Sequence, residues 1–276
     1  MPVIAITGST GHVGGRVAAQ LADLAPRLIV RDSTRAPRID GSSVAVCEYS
    51  DASAAVTALT GVDLLFMVSA AEAEDRRDQH RTFIRAAADA GVGQIVYTSF
   101  FGAGRDAVFT LGRDHADAEA AIRESGMAYT ILRDNFYSDL LPYFADDAGV
   151  IRGPAGDGLV AAVARADVAD VASVVLRAPA EHVGRTYELT GPEALTMAQV
   201  ASRAGAATGR RLSYEAETVD EAYASRAVYG AAQWQLDAWV STYVAVARGE
   251  VARVTSDVLL VTGHEPRTIE EALAGV

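Results

Sequence analysis

The chain has 276 residues, half of them hydrophobic and 22% charged, with a formal net charge of −12. That balance is too apolar for a disordered chain and too acidic for a nucleic-acid binder, because phosphate contacts need clustered Lys/Arg and no basic run here exceeds two residues. No apolar run approaches the ~20 residues that would span a bilayer, and the start lacks a basic stretch before an apolar one, so a cytoplasmic protein away from membranes is expected.

Short β-rich runs alternate with Ala-rich amphipathic stretches over residues 1–133, the pattern of a parallel sheet with crossover helices. The expected strands are Val3–Thr7, Arg27–Arg31, Val44–Glu48, Leu64–Val68, Ile95–Ser99 and Tyr129–Leu132. An α/β Rossmann fold is therefore expected, a doubly wound parallel sheet in which ligands collect at the carboxyl ends of the strands.

Between the first strand and the first helix runs Thr7-Gly8-Ser9-Thr10-Gly11-His12-Val13-Gly14. A pyrophosphate is held where free N–H groups and the dipole of a helix N-terminus favour negative charge, and glycine lets the backbone come close. Gly8, Gly11 and Gly14 supply that spacing, and the turn opens a helix through Val17, Leu21 and Leu24. Thr7, Gly8, Thr10, Gly11, His12, Val13 and Gly14 are therefore expected to bind a dinucleotide.

At the end of the second strand, where an acid would grip an NAD ribose, stands Arg31. Arginine suits the 2′-phosphate of NADP, with Arg35 close enough to help, so NADPH/NADP is expected ahead of NADH; Asp32 keeps the alternative open. Cys47, the single cysteine, is expected to be a buried, inert thiol. Asp51 has two readings, an adenine contact or the N-cap of a helix beginning at Ala52.

Ser69 and Ser99 end the fourth and fifth strands. Ser99 is either a hydrogen-bond partner for substrate or nicotinamide or a turn residue, and Phe100 and Phe101 are either an apolar wall or packing. The next helix begins in Leu111–Glu119 and carries His115, a candidate proton donor because a free imidazole titrates near ~6.5; the alternative is a half-exposed helical histidine. No Tyr-x-x-x-Lys pair follows the fifth strand; the nearest shape is Phe109-x-x-x-Arg113.

From residue 134 to 276 a mixed, smaller and mainly helical C-terminal lobe is expected, with segments returning to the core. Pro142, Gly149, Gly153, Pro154, Gly156 and Gly158 mark excursions, and helix starts are expected at Thr196 with Gln199, Thr218 with Glu221 and Thr268 with Glu271. Tyr223, Tyr229, Trp234, Trp239 and Tyr243 read as core or interface filling.

In order and spacing, the glycine turn, Val30-Arg31-Asp32, Ile95–Ser99, Ser125–Tyr137, Gly156-Asp157-Gly158 and Arg165–Asp170 resemble the atypical short-chain dehydrogenase/reductases of the NmrA-like group, which includes quinone and triphenylmethane reductases. The resemblance implies NADPH, a substrate cleft between Rossmann domain and lobe, His115 where isoflavone-type reductases carry a catalytic lysine, and Asn135, Phe136 and Tyr137 near the nicotinamide. Tyr137 is then a second donor candidate, and Asp167 and Asp170 are structural. Three functions remain open: an NADPH-dependent reductase of quinones, dyes or other conjugated electrophiles, a non-enzymatic NADP(H) redox sensor, or a reductase dedicated to a natural-product pathway. The partner is a small-molecule substrate, with the protein a monomer or homodimer and no metal.

Overall fold

The computed structural model describes residues 2–274. In chain order the first half runs β1 (Ile4–Thr7), α1 (His12–Gln20), β2 (Arg27–Val30), β3 (Ser43–Val46), α2 (Ala52–Leu59), β4 (Leu64–Met67), α3 (Arg76–Asp89), β5 (Gln94–Phe100), α4 (Thr110–Glu124) and β6 (Ala128–Asp134). It continues with β7 (Val150–Gly153), β8 (Leu159–Val160), α5 (Arg165–Arg177), β9 (Thr186–Leu189), β10 (Leu195–Thr196), α6 (Met197–Thr208), β11 (Ser213–Ala216), α7 (Val219–Arg226), α8 (Gln233–Ala247), α9 (Asp257–Thr262) and α10 (Ile269–Ala274). Two compact units result, both discontinuous: Met1–Ser99 with Asp114–Arg133 and Val168–Tyr187, and Phe100–Arg113 with Asp134–Asp167 and Glu188–Val276.

The large sheet has the strand order β3-β2-β1-β4-β5-β6-β9. β1 pairs in parallel with β2 on one side, Ala5 opposite Arg27, and with β4 on the other, Ile4 opposite Leu64. The order reverses there, which puts the crevice for a ligand at the carboxyl end of β1. Ile4–Thr7 and Leu64–Met67 are buried throughout, as strands covered on both faces must be. Leu65, Phe83, Ile84, Ile95, Tyr97, Ile122 and Ile131 build the core of the first unit.

All six expected strands form, with ends shifted by one or two residues. β9 was not anticipated. Only Leu189 of its four residues is buried, so it lacks the apolar run that marks an inner strand. Its direction follows from Ile131 N–H donating to Arg185 O and Asn135 N–H to Leu189 O, a constant offset that makes it parallel to β6.

The second unit packs Phe100, Ile151, Met197, Tyr243 and Val246 into its own core. Thr196 and Thr218 head α6 and α7 in reciprocal capping boxes with Gln199 and Glu221, and Thr268 and Glu271 exchange the same bonds before α10. The lobe also holds strand pairs beyond the helices expected, parallel β7–β11 and antiparallel β8–β10. The glycine-rich stretch therefore forms strands that need its small residues. A Cβ on Gly153 would stand 2.4 Å from the Tyr243 ring. Among the described residues no helix is long and apolar enough to cross a membrane.

Candidate cofactor-binding site

The glycine turn folds onto itself. Gly8 takes φ +63°, a left-handed conformation that costs other residues roughly 1–2 kcal/mol, and its carbonyl accepts from Gly11 N–H at 2.9 Å. A Cβ on Gly14 would lie 2.4 Å from that same carbonyl oxygen, so the turn closes only with glycine there. Gly11 differs: its nearest obstacle, Gly8 O, is 3.4 Å away, an ordinary contact. Gly11 is the N-cap of α1 and offers no side chain to the first-turn N–H groups. The protein's own packing therefore does not require glycine at position 11, and an uncapped helix end of this kind suits an anion. Ser9 Oγ is buried in the same turn with no hydrogen-bond partner in the structure.

Beside the turn lies a pocket of about 290 Å³ at the carboxyl ends of β1 to β4. Thr7, Gly8 and Thr10 line it with Arg31 after β2, Cys47 to Ser50 after β3, and Val68 to Ala73 after β4. Ser69 and Arg31 are thereby brought to the glycine turn, whereas His12 and Val13 form the first turn of α1. Asp32 accepts from the Thr34 amide at 2.9 Å and the Thr34 hydroxyl at 2.7 Å, so its carboxylate closes its own loop, and Arg31 is the basic residue of a lining that also holds Glu48 and Glu72. Burial pushes the Cys47 thiol up to about 11, as expected for an inert group.

Several expected contacts have other employment. Asp51 caps α2, accepting from Ala54 N–H at 2.9 Å, and does not line the pocket; of its two readings the cap is the one seen. Arg35 is exposed in the turn after Asp32, outside the lining. Ser99 is fully buried and donates its hydroxyl hydrogen to Glu119 at 2.6 Å, so that hydrogen is engaged within the fold. Glu119 also takes both arms of Arg133, at 2.8 and 2.7 Å, and Arg123 at 2.9 Å. Burial alone would raise its carboxyl, but the bonds from Arg133 and Ser99 outweigh that and hold it below the usual range.

His115 is buried on α4 between two partners. Its Nε2 is 3.1 Å from Arg76 NH2 and its Nδ1 is 3.1 Å from the Tyr97 hydroxyl. A guanidinium only donates, so Nε2 is the acceptor and the ring hydrogen sits on Nδ1, facing Tyr97. Burial, then the charge of Arg76, holds the imidazole well below 6.5. His115 is therefore enclosed, in place of the half-exposed helical histidine that was one of its two readings, and in this arrangement it is a neutral acceptor toward Arg76.

The sequence reading missed Tyr49, Arg76 and His80. The Tyr49 hydroxyl lies 2.6 Å from both Thr7 Oγ1 and Val68 O, tying β1 to the pocket wall, and its ring stacks on Phe83. Arg76 Nε donates to Ala70 O at 2.9 Å, and Ala70 N–H donates to His80 Nε2 at 2.8 Å. The signal available was an arginine and a histidine four apart at the start of a helix, one face of one turn.

In the second unit Tyr137 donates to Asp134 Oδ2 at 2.6 Å. Burial and the Asp134 charge push its hydroxyl well above 10, so it stays protonated with its hydrogen already given away. Asn135 is buried, its amide spanning Val251 O at 3.0 Å and Phe136 N–H at 2.8 Å, which braces the chain after β6. Phe100, Phe109 and Phe136 form an aromatic cluster with centroids 4.7 to 5.2 Å apart, so Phe100 is packing.

Residues 8–179 match the model of a family described as NAD(P)H-binding. The chain belongs to that family, among the NmrA-like atypical short-chain dehydrogenase/reductases. Across 99% of this chain and 98% of the relative it is 32% identical to quinone oxidoreductase 2 of Escherichia coli, whose structure with NADPH superimposes with a TM-score of 0.88. It is 31% identical to an NAD(P)H azoreductase of Xenophilus azovorans over 98% of this chain and 96% of that one. The NADP(H) complex of a Citrobacter triphenylmethane reductase, 26% identical, covers 99% of both chains with a TM-score of 0.84.

Proposed function

We infer that this protein is an NADPH-dependent reductase that delivers hydride to a quinone, an azo or triphenylmethane dye, or a related conjugated electrophile. The observation that carries this is the open cradle at Gly11, with Arg31 lining its pocket, in a chain similar over its whole length to reductases of such acceptors. The first turn of α1 would hold the pyrophosphate and Arg31 would meet the 2′-phosphate. When bound, the nicotinamide supplies the hydride. Such acceptors are reduced without a strong protein acid. That agrees with His115 and Tyr137, whose hydrogens are engaged by Tyr97 and Asp134, and leaves the proton to come from solvent.

Absorbance-followed oxidation of NADPH and NADH with a panel of quinones and dyes tests the reading. Turnover preferring NADPH is expected. Tight binding of cofactor with no turnover on any acceptor would refute the reductase and favour a redox sensor, which the same engaged hydrogens would fit. In Arg31→Ala the NADPH affinity should fall roughly ten-fold, the loss of one charged hydrogen-bond partner, while NADH affinity holds; equal loss for both would refute the 2′-phosphate assignment.

A further inference from the structure

Four buried groups connect α4 to the wall of the cofactor pocket. Ala70 lines the pocket, and both of its backbone groups are taken by side chains of α3: its N–H by His80 Nε2 and its C=O by Arg76 Nε. Arg76 is 3% exposed and His80 fully buried. The free arms of the Arg76 fork reach across to consecutive residues of α4, with NH2 on His115 Nε2 at 3.1 Å and NH1 at 3.6 Å from Asp114 Oδ2. Asp114 is shared with Arg77, whose Nε donates at 2.6 Å. The Tyr97 hydroxyl closes the set behind His115.

A guanidinium buried in this way must have its N–H groups met, since each unmet one costs as much as a lost hydrogen bond. Arg76 NH1 already lacks a hydrogen bond. Removing the His115 acceptor would strand a second nitrogen, and the side chain would leave its place and release Ala70 O. His115 therefore matters as a hydrogen-bond acceptor at Nε2, a role that requires the neutral ring.

We propose that His115 is a positioning residue: it seats Arg76, and Arg76 together with His80 clamps Ala70 so that the segment Val68–Ala73 is preformed as the cofactor-facing wall of the pocket. This rests on the assignment of NADPH above. It gives a neutral imidazole a defined part in cofactor binding without any proton transfer.

The test compares His115→Leu, which removes the acceptor, with His115→Gln, whose amide oxygen can take the place of Nε2. Three quantities are read on the full chain: the NADPH dissociation constant by nicotinamide fluorescence, KM for NADPH against kcat with a quinone acceptor, and amide hydrogen exchange at Ala70 without cofactor. For His115→Leu the dissociation constant and KM should rise roughly ten-fold, the worth of one buried hydrogen bond to a charged group, with kcat at saturating NADPH maintained and Ala70 exchanging faster. His115→Gln should restore the affinity and the protection. Loss of kcat in both variants at unchanged NADPH affinity would overturn the proposal and make His115 a proton donor. Unchanged affinity and exchange in His115→Leu would overturn it as well.

If His115→Leu does not fold, Arg76→Lys decides. A single ammonium keeps the charge but cannot span Ala70 O and His115 Nε2, so the same rise in dissociation constant is expected, and wild-type affinity would refute the clamp. If the wild type binds NADPH but reduces no acceptor, the reductase reading fails while affinity and exchange still judge the clamp. If it binds no NADPH, both fall.

Discussion

Replacing Gly14 by alanine tests the construction of the turn. The added Cβ would lie 2.4 Å from Gly8 O, 2.5 Å from Gly8 C and 2.7 Å from Thr7 O. All three are backbone atoms, and Gly8 is held at φ +63° by its bond to Gly11 N–H, so nothing nearby can yield as a flexible side chain would. Overpacking of this kind costs about 1–3 kcal/mol, of which the better helix propensity of alanine returns up to about 1 kcal/mol. A net loss of about 1–2 kcal/mol in urea unfolding is expected, together with at least a roughly ten-fold weaker NADPH complex as α1 is pushed off the turn. Gly11→Ala is the counterpart. Its Cβ would make only an ordinary 3.4 Å contact and Gly11 has φ −100°, so stability should stay within about 0.5 kcal/mol of wild type while NADPH affinity falls because the methyl fills the cradle. Wild-type stability and affinity in Gly14→Ala, or wild-type affinity in Gly11→Ala, would refute this account.

Glu119→Gln should cost about 1.5–3 kcal/mol at pH 7 in urea unfolding, because it removes the buried charge that the half-buried Arg133 and the Ser99 hydroxyl both meet. The Glu119 carboxyl is depressed, so its contribution is complete above about 4.5, the unfolded value, and is lost as pH falls through the folded value; the gap between variant and wild type should close in acid. A gap constant from pH 7 to pH 3 would contradict the ion-pair reading. Burial and the charge of Arg76 lower His80 to about 3. The unfolded chain then takes up a proton that the folded chain refuses as pH drops below about 6.5, so stability should decline by up to about 1.4 kcal/mol per pH unit for this residue. His115, lowered for the same reasons, adds to the slope. Urea midpoints flat between pH 6.5 and 5 would show that the rings are not buried neutral.

What could be read along the chain was whatever is encoded locally. The buried runs Ile4–Thr7 and Leu64–Met67, the glycine spacing, Arg31 in place of an acid, and the capping pairs at Thr196, Thr218 and Thr268 each follow from a rule that operates within a few residues. β9 escaped because a short strand carrying one buried residue has no local signature, and it exists through pairing with β6.

The side-chain chemistry of the site depended on tertiary structure. His115, Ser99 and Tyr137 have residue types that donate protons, and their positions at strand ends and a helix start invited that role. Whether a hydroxyl or imidazole is available turns on what else reaches it, and those partners stand 39 residues away for His115 with Arg76 and 20 for Ser99 with Glu119. Asn135 is engaged with Val251, 116 residues on. The sequence by itself determined the Rossmann sheet and the dinucleotide turn, because backbone conformation is set by near neighbours. Only the tertiary structure decided that His115 is a neutral acceptor for Arg76, because protonation and tautomer are set by burial and by charges that folding brings from elsewhere in the chain.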